Sequence, residues 1–152
     1  PQKVLTLASK PLREAPDERR VWELADSGWR TVLTDHRDKV LATFLTGFHT
    51  PRSVKVDGLF EDLVGYKGLS LQWSWHKNSN IAVVKRLEDL VTLRGAIAHR
   101  VSVGRYVQKK ELTDALNLVA SLAAISANRL RQHLKNCTGS DPWPETTHGS
   151  AR

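Results

Sequence analysis

Apolar side chains recur at three- and four-residue steps through most of this chain, and this period constrains the fold more than any other feature. In residues 29–48 the apolar positions share one helical face. A second segment, residues 54–64, follows Ser53, a typical N-cap residue, and ends at Gly65. This spacing predicts amphipathic α-helices.

Two further segments, residues 81–98 and residues 109–135, repeat the pattern over longer stretches. Their predicted buried positions are Ile81, Val84, Leu87, Leu90, Val91 and Ala98 in the first, and Leu112, Ala115, Leu116, Val119, Leu122, Ala123 and Leu130 in the second. Alanines in the last segment permit close helix approach. The sequence therefore predicts an all-α bundle of four or five helices.

The remaining segments set the predicted domain boundaries. Residues 1–16, which contain Pro11 and Pro16, are expected to be an irregular lead-in to a helical domain over residues 17–137. Residues 69–75 alternate apolar and polar, which predicts a short extended connector whose tryptophans pack on the bundle. Residues 100–106 are expected to be a loop, and residues 138–152 a flexible, irregular tail.

Charge and cysteine content narrow the function classes. The 152 residues carry a formal net charge of +7, which attracts polyanions such as RNA but would equally attract an acidic protein. A single cysteine forbids an internal disulfide and suits a reducing cytoplasm. No stretch approaches the roughly 18 unbroken apolar residues of a membrane span, so a soluble cytoplasmic protein without a membrane partner is expected.

A candidate catalytic pair closes the third strong helical segment. Arg94 is followed after four residues by His99 in the run Arg-Gly-Ala-Ile-Ala-His-Arg, residues 94–100, and a short loop and one more long helix complete the domain. Further features are Phe-His-Thr-Pro-Arg at residues 48–52, Leu-Phe-Glu-Asp-Leu at 59–63 and Trp-Ser-Trp at 73–75. Over residues 20–135 the chain resembles the HEPN superfamily, and within it the RiboL-PSP type.

This resemblance implies a homodimeric endoribonuclease that needs neither metal nor cofactor, often found in toxin–antitoxin or antiphage systems with an antitoxin partner. The two motifs of the dimer would form one composite site. Arg94 would bind the scissile phosphate, and His99 would act as general acid or base, giving a 2′,3′-cyclic phosphate product. Arg100 would add a phosphate contact.

Other basic residues are candidates for holding the RNA backbone. They are Lys109 and Lys110 at the start of the last helix, and Arg129, Arg131 and Lys135 near its end. A solvated helix face explains the same pattern. Trp73 and Trp75 are able to stack on bases, but core packing is favoured for at least one of them.

Helix geometry adds a constraint on the pair. Five residues rotate a side chain by about 140° around an α-helix, so Arg94 and His99 do not share one stripe. Either the helix ends before His99, or a second chain completes the site. HEPN motifs commonly have Asn, Asp or His directly after the arginine, whereas this chain has Gly95, which favours a non-catalytic domain that binds RNA or nucleotide. A helical adaptor for an acidic partner is the third alternative.

The other histidines have simpler interpretations. His36 falls on the apolar stripe of the first long helix, where a core position is expected. His49 and His76 lie near breaks, where capping or plain exposure is expected. The six histidines and one cysteine show no paired spacing typical of metal ligands.

Overall fold

The computed structural model describes residues 2–14, 22, 26–98 and 107–146. These residues form α1 (Gln2–Arg13), α2 (Gly28–Leu45), α3 (Ser53–Val64), α4 (Asn80–Ala98) and α5 (Lys109–Thr138), with a 3₁₀ helix (Leu69–Gln72) between α3 and α4. The predicted all-α bundle is confirmed. In the part of the chain covered, no helix combines the length and apolar character needed to cross a bilayer.

The N-terminal segment is helical, and the prediction of an irregular lead-in over residues 1–16 is wrong for α1. Val4 lines an apolar groove of about 430 Å³ together with Leu33 of α2 and Leu63 of α3. Pro11 lies in the last turn of α1 and cannot donate a backbone hydrogen bond there, and burial of this apolar face offsets that loss.

The start and end of α3 are fixed by different devices. Gly65 ends the helix in the left-handed conformation (φ 75°), and its amide donates to the carbonyl of Glu61, as predicted. Ser53 is not the N-cap, however. It is the first helical residue, Arg52 is the cap, and a carboxylate from α4 binds Ser53 instead.

The predicted extended connector, residues 69–75, is wrong. The segment begins as a 3₁₀ helix, in which Leu69 and Trp73 are buried four residues apart while Leu71 is 70% exposed. A strand would have placed all three side chains on one face. Trp73 does pack in the core, as expected.

Side-chain hydrogen bonds hold this turn in place. Asp57 of α3 accepts from the amide and hydroxyl of Ser70 at 2.6 and 2.7 Å. Asn80, at the start of α4, donates to the carbonyl of Ser70 at 2.6 Å. Gly68 precedes the turn with φ 63°, a conformation that favours glycine. The turn therefore links α3 to α4 through polar side chains that no apolar period signals.

The hydrophobic core lies where α4, α5 and the 3₁₀ helix meet. Its buried members are Trp73, Val83, Leu87, Val91, Leu118 and Leu122. The Trp73 indole also donates to Ser126 of α5 at 2.9 Å, so its one polar atom is satisfied.

Several positions predicted to be buried are exposed. Ile81 and Ala98 of α4 are open to solvent, because Val83, Leu87 and Val91 form its buried stripe. In α5 the exposed positions are Leu112, Leu116, Val119 and Ala123. The apolar residues of α5 cover more than one face, so periodicity alone did not identify the side that faces the core.

The C-terminal segment is irregular, as predicted, but through Thr146 it does not extend freely into solvent. Asn128 and Thr146 exchange two hydrogen bonds of 2.8 Å, and Arg131 Nε donates to the carbonyl of Trp143 at 2.8 Å. Asp141 pairs with Arg131 at 2.7 Å. The segment therefore folds back along α5, because polar side chains of that helix bind its backbone.

Candidate functional site

Arg94 lies exposed on α4, one turn before the helix ends at Ala98. Its Nη1 donates to the backbone carbonyl of His49 at 2.9 Å, in the loop between α2 and α3. This partner is neutral, so the contact orients the guanidinium without neutralising its charge. The other motif residues, His99 and Arg100, lie outside the described residues.

The loop that carries His49 is anchored a second time, by Arg52. Its guanidinium pairs with Glu88 and donates to Thr92 Oγ1 at 3.5 Å, both on α4. Glu88 also accepts from the amide and hydroxyl of Ser53 at 3.2 and 3.3 Å. Glu88 thus supplies from α4 the carboxylate that caps the start of α3.

Electrostatics favour this anchor over a wide pH range. Partial burial would raise the pKa of Glu88, but hydrogen bonds from Ser53 and Arg52 and the Arg52 charge outweigh it and hold that pKa below its ordinary value. The Glu88 carboxylate binds Arg52 and Ser53.

The Arg52–Glu88 contact and the Arg94–His49 contact lie on different faces of α4. Six residues separate Glu88 and Arg94, which corresponds to a rotation of about 240° around the helix. The loop therefore wraps across α4 between the Arg52 and His49 contacts. The residue whose carbonyl Arg94 binds, His49, also carries an imidazole side chain.

The predicted RNA-binding lysines, Lys109 and Lys110, are exposed in the first turn of α5. The amide of Gln108 donates to Glu111 at 2.9 Å and closes the start of α5. Both lysines are thus placed to contact a polyanion.

The groove between α4 and α5 has the opposite character. The carboxylates of Asp89, Glu111 and Asp114 line it, together with the Arg86 side chain. Its apolar lining consists of Leu90, Ala115 and Leu118. Carboxylates repel phosphate, so we do not place RNA in this groove.

The basic residues late in α5 do not form a free phosphate track. Arg131 and Lys135 both bind Asp141, at 2.7 and 2.8 Å. The hydrogen bond from Lys135 outweighs burial and, with both positive charges, lowers the pKa of Asp141. Only Arg129 of this predicted patch stays exposed without a described acidic partner.

No protein-family model, characterised protein or solved structure matches this chain. The HEPN resemblance stays a prediction carried by the motif and its setting.

The structure also describes several other residues that the sequence suggested as binding or metal-ligating candidates. Trp73 is buried and does not stack on bases, and Trp75 is half-buried beside it. His76 is exposed in a turn, as expected. Of His36 the structure describes only the backbone. Among the described residues, no group of three His, Cys, Asp or Glu side chains is placed to hold a metal ion.

One face of α5 is apolar and exposed, although its residues were predicted to be buried. Leu112, Leu116 and Val119 are 57%, 62% and 49% exposed and are separated by four and three residues, the spacing of a helix–helix seam. Residues 115–128 contain no Asp, Glu, Lys or Arg. We call Leu112, Leu116, Val119 and Ala123 the α5 face.

Proposed function

We propose that the protein is a metal-independent endoribonuclease of HEPN type, with Arg94 and His99 as its catalytic residues. The observation that carries the proposal is the state of Arg94. It is exposed, and a neutral carbonyl orients its guanidinium without neutralising the charge. A guanidinium held in this way keeps donors available for the oxygens of a phosphate.

The chemistry assigned to the pair follows from the residue types. Arg94 stabilises the charge that builds on the phosphate oxygens as the ribose 2′-hydroxyl attacks. His99 exchanges a proton with that hydroxyl or with the leaving oxygen, since imidazole titrates near neutral pH. Lys109 and Lys110 hold the flanking backbone, and Arg100 is assigned a further phosphate contact. The single cysteine fits a reducing compartment such as the cytoplasm.

A second copy of the chain is part of the proposal. The α5 face is uncharged, so two chains of net charge +7 can meet there without bringing like charges together. Exposed Ile97 lies three residues after Arg94, in the last turn of α4. Apolar exposure next to Arg94 therefore supports a dimer interface at the motif, as the family's composite site requires.

Cleavage of RNA in excess chelator tests the pair. We expect Arg94→Gln, which keeps an amide donor for the His49 carbonyl but loses the charge, and His99→Ala each to reduce the rate by at least about 100-fold. His76→Ala is the matched control and should cleave like the wild type. Unchanged cleavage by His99→Ala would remove the nuclease proposal.

The α5 face is tested by introducing a charge. Leu116→Asp should convert a dimer to a monomer in sedimentation velocity and reduce cleavage, because the charge must be desolvated in the interface. Val54→Asp, at an exposed apolar position of α3, is the control and should stay dimeric. A wild type that is monomeric at all accessible concentrations would contradict the composite site.

Gly95 favours the alternative in which the chain binds RNA without cleaving it. A Cβ added at Gly95 meets no atom within 4 Å outside its own stretch of helix, so packing against other parts of the chain does not require glycine there. If the wild type binds RNA without cutting it and Gly95→Asn gains cleavage, the chain is a binding domain that lacks one catalytic group. Gly58→Asn on α3, also open to solvent, is the control.

The toxin–antitoxin or antiphage setting, with an antitoxin partner, belongs to the same proposal through the family resemblance. The net charge of +7 also suits an acidic partner. A co-purified acidic protein that suppresses RNA cleavage would support this setting. Full activity of the protein in its native extract, with nothing bound, would count against it.

A further inference from the structure

We propose that His49 is a second proton-transfer residue of the nuclease site, in addition to His99. This inference rests on the proposed function and names a group that the Arg–His motif does not contain. It follows from the contact between Arg94 Nη1 and the carbonyl of His49, at 2.9 Å.

Side-chain contacts at His49 and at Arg52 hold the backbone of the α2–α3 loop in place. The loop is fixed on one side by Arg52, which binds Glu88 and Thr92, and on the other by Arg94. The imidazole of His49 is exposed and belongs to the same residue as the carbonyl that the Arg94 guanidinium contacts. A histidine in that position is able to reach a ribose or leaving-group oxygen on a phosphate held by Arg94.

Strand cleavage requires two proton transfers. The 2′-hydroxyl gives its proton to one imidazole while the O2′–P bond forms. The P–O5′ bond breaks, and a second, protonated imidazole gives its proton to the departing O5′. The products are a 2′,3′-cyclic phosphate and a free 5′-hydroxyl, and no oxidant or co-reactant is consumed. His99 is one imidazole per chain, and His49 supplies a second one to the proposed site.

A pH–rate profile separates these arrangements. With two histidines in one site, kcat/KM against pH is bell-shaped, and each limb belongs to one of them. His49→Ala should reduce kcat/KM on RNA by about 100-fold or more and remove one limb, leaving a one-sided profile. The variant keeps its anchor, because Arg94 binds the main-chain carbonyl and not the ring. His76→Ala is the control and should retain both limbs.

An activated substrate identifies which transfer His49 performs. A uridine 3′-(4-nitrophenyl phosphate) releases nitrophenolate, which needs no proton from an acid. If His49 is the acid, His49→Ala cleaves this substrate at nearly the wild-type rate. If it is the base, the loss persists on both substrates. Either result, joined to the loss of one limb, supports the inference.

The outcomes separate this inference from the function it rests on. If His99→Ala is inactive while His49→Ala keeps the full rate and both limbs, His49 is not catalytic and the nuclease proposal stands. A lower rate in His49→Ala with both limbs intact means a structural role and also overturns the inference. If the wild type cleaves no RNA, both proposals fail. If His49→Ala is inactive and His99→Ala is not, the assignment of His99 is wrong and that of His49 survives.

Discussion

Replacing Glu88 by glutamine should destabilise the protein, because this carboxylate joins α3 to α4. The change removes the charge that binds Arg52 and weakens two hydrogen bonds from Ser53. Loss of an N-cap costs about 0.5–2 kcal/mol, and an exposed ion pair contributes about 0.2–1 kcal/mol. Since Glu88 is only partly buried, we expect a loss of about 1–2 kcal/mol. That loss corresponds to a fall of about 2–8 °C in Tm for a chain of this size.

Thermal and urea unfolding followed by circular dichroism measure this loss. Glu61→Gln is the matched control, since Glu61 lies on α3 and pairs with Lys67 only at 3.6 Å across an exposed surface. It should change stability by less than about 0.5 kcal/mol. Equal stability of the two variants would show that Glu88 does not hold the two helices together.

The difference in stability between the wild type and Glu88→Gln should depend on pH. The pKa of Glu88 is lower in the folded chain than its ordinary value of 4.5, so its contribution is fully present above that value and is lost as pH falls through the folded pKa. The stability gap between the wild type and Glu88→Gln should therefore narrow below about pH 4.5. A gap at pH 3 as large as that at pH 7 would refute the ion-pair explanation.

Three further substitutions probe other parts of the structure. Gly95→Ala should raise the free energy of unfolding by about 0.5–1 kcal/mol, since alanine is the better helix former and its Cβ meets open space; an unchanged urea midpoint would contradict this. Trp73→Ala should cost about 3–5 kcal/mol through lost burial and the lost bond to Ser126, and a cost below about 1 kcal/mol in urea unfolding would place Trp73 outside the core. Asp141→Asn should release residues 139–146 from α5, seen as faster hydrogen exchange of that segment with unchanged Tm, whereas unaltered exchange would show that Asp141 does not hold it.

Helix positions were predictable where the local signals were strong. The end of α3 was predicted from Gly65 and the start of α5 from the apolar period, signals that act within a few residues along the chain. The end of α5 lies at Thr138, three residues beyond its predicted end. The 3₁₀ helix was not predictable from alternation, because Leu69, Leu71 and Trp73 fit a strand equally well. The hydrogen bonds of Ser70 with Asp57 and Asn80, 13 and 10 residues away, hold the 3₁₀ turn.

Only part of the candidate site was predictable, because its polar contacts join residues that are far apart in the sequence. Arg94 follows from a motif, but its contact with His49 spans 45 residues, and that of Arg52 with Glu88 spans 36. Polar pairs at such separations leave no periodic trace in one sequence. The exposed α5 face was predicted to be buried because periodicity finds apolar stripes and does not show which one a neighbouring element covers.

The most direct test of the account is the chemistry of the cut ends. RNA incubated with the wild type in excess chelator should yield fragments that end in a 2′,3′-cyclic phosphate and begin with a 5′-hydroxyl, and RNA carrying 2′-O-methyl groups should stay intact. The same ends should be lost with Arg94→Gln and His99→Ala. Fragments that begin with a 5′-phosphate, or cleavage that is unaffected by either substitution, would contradict a site in which Arg94 and His99 direct attack by the 2′-hydroxyl.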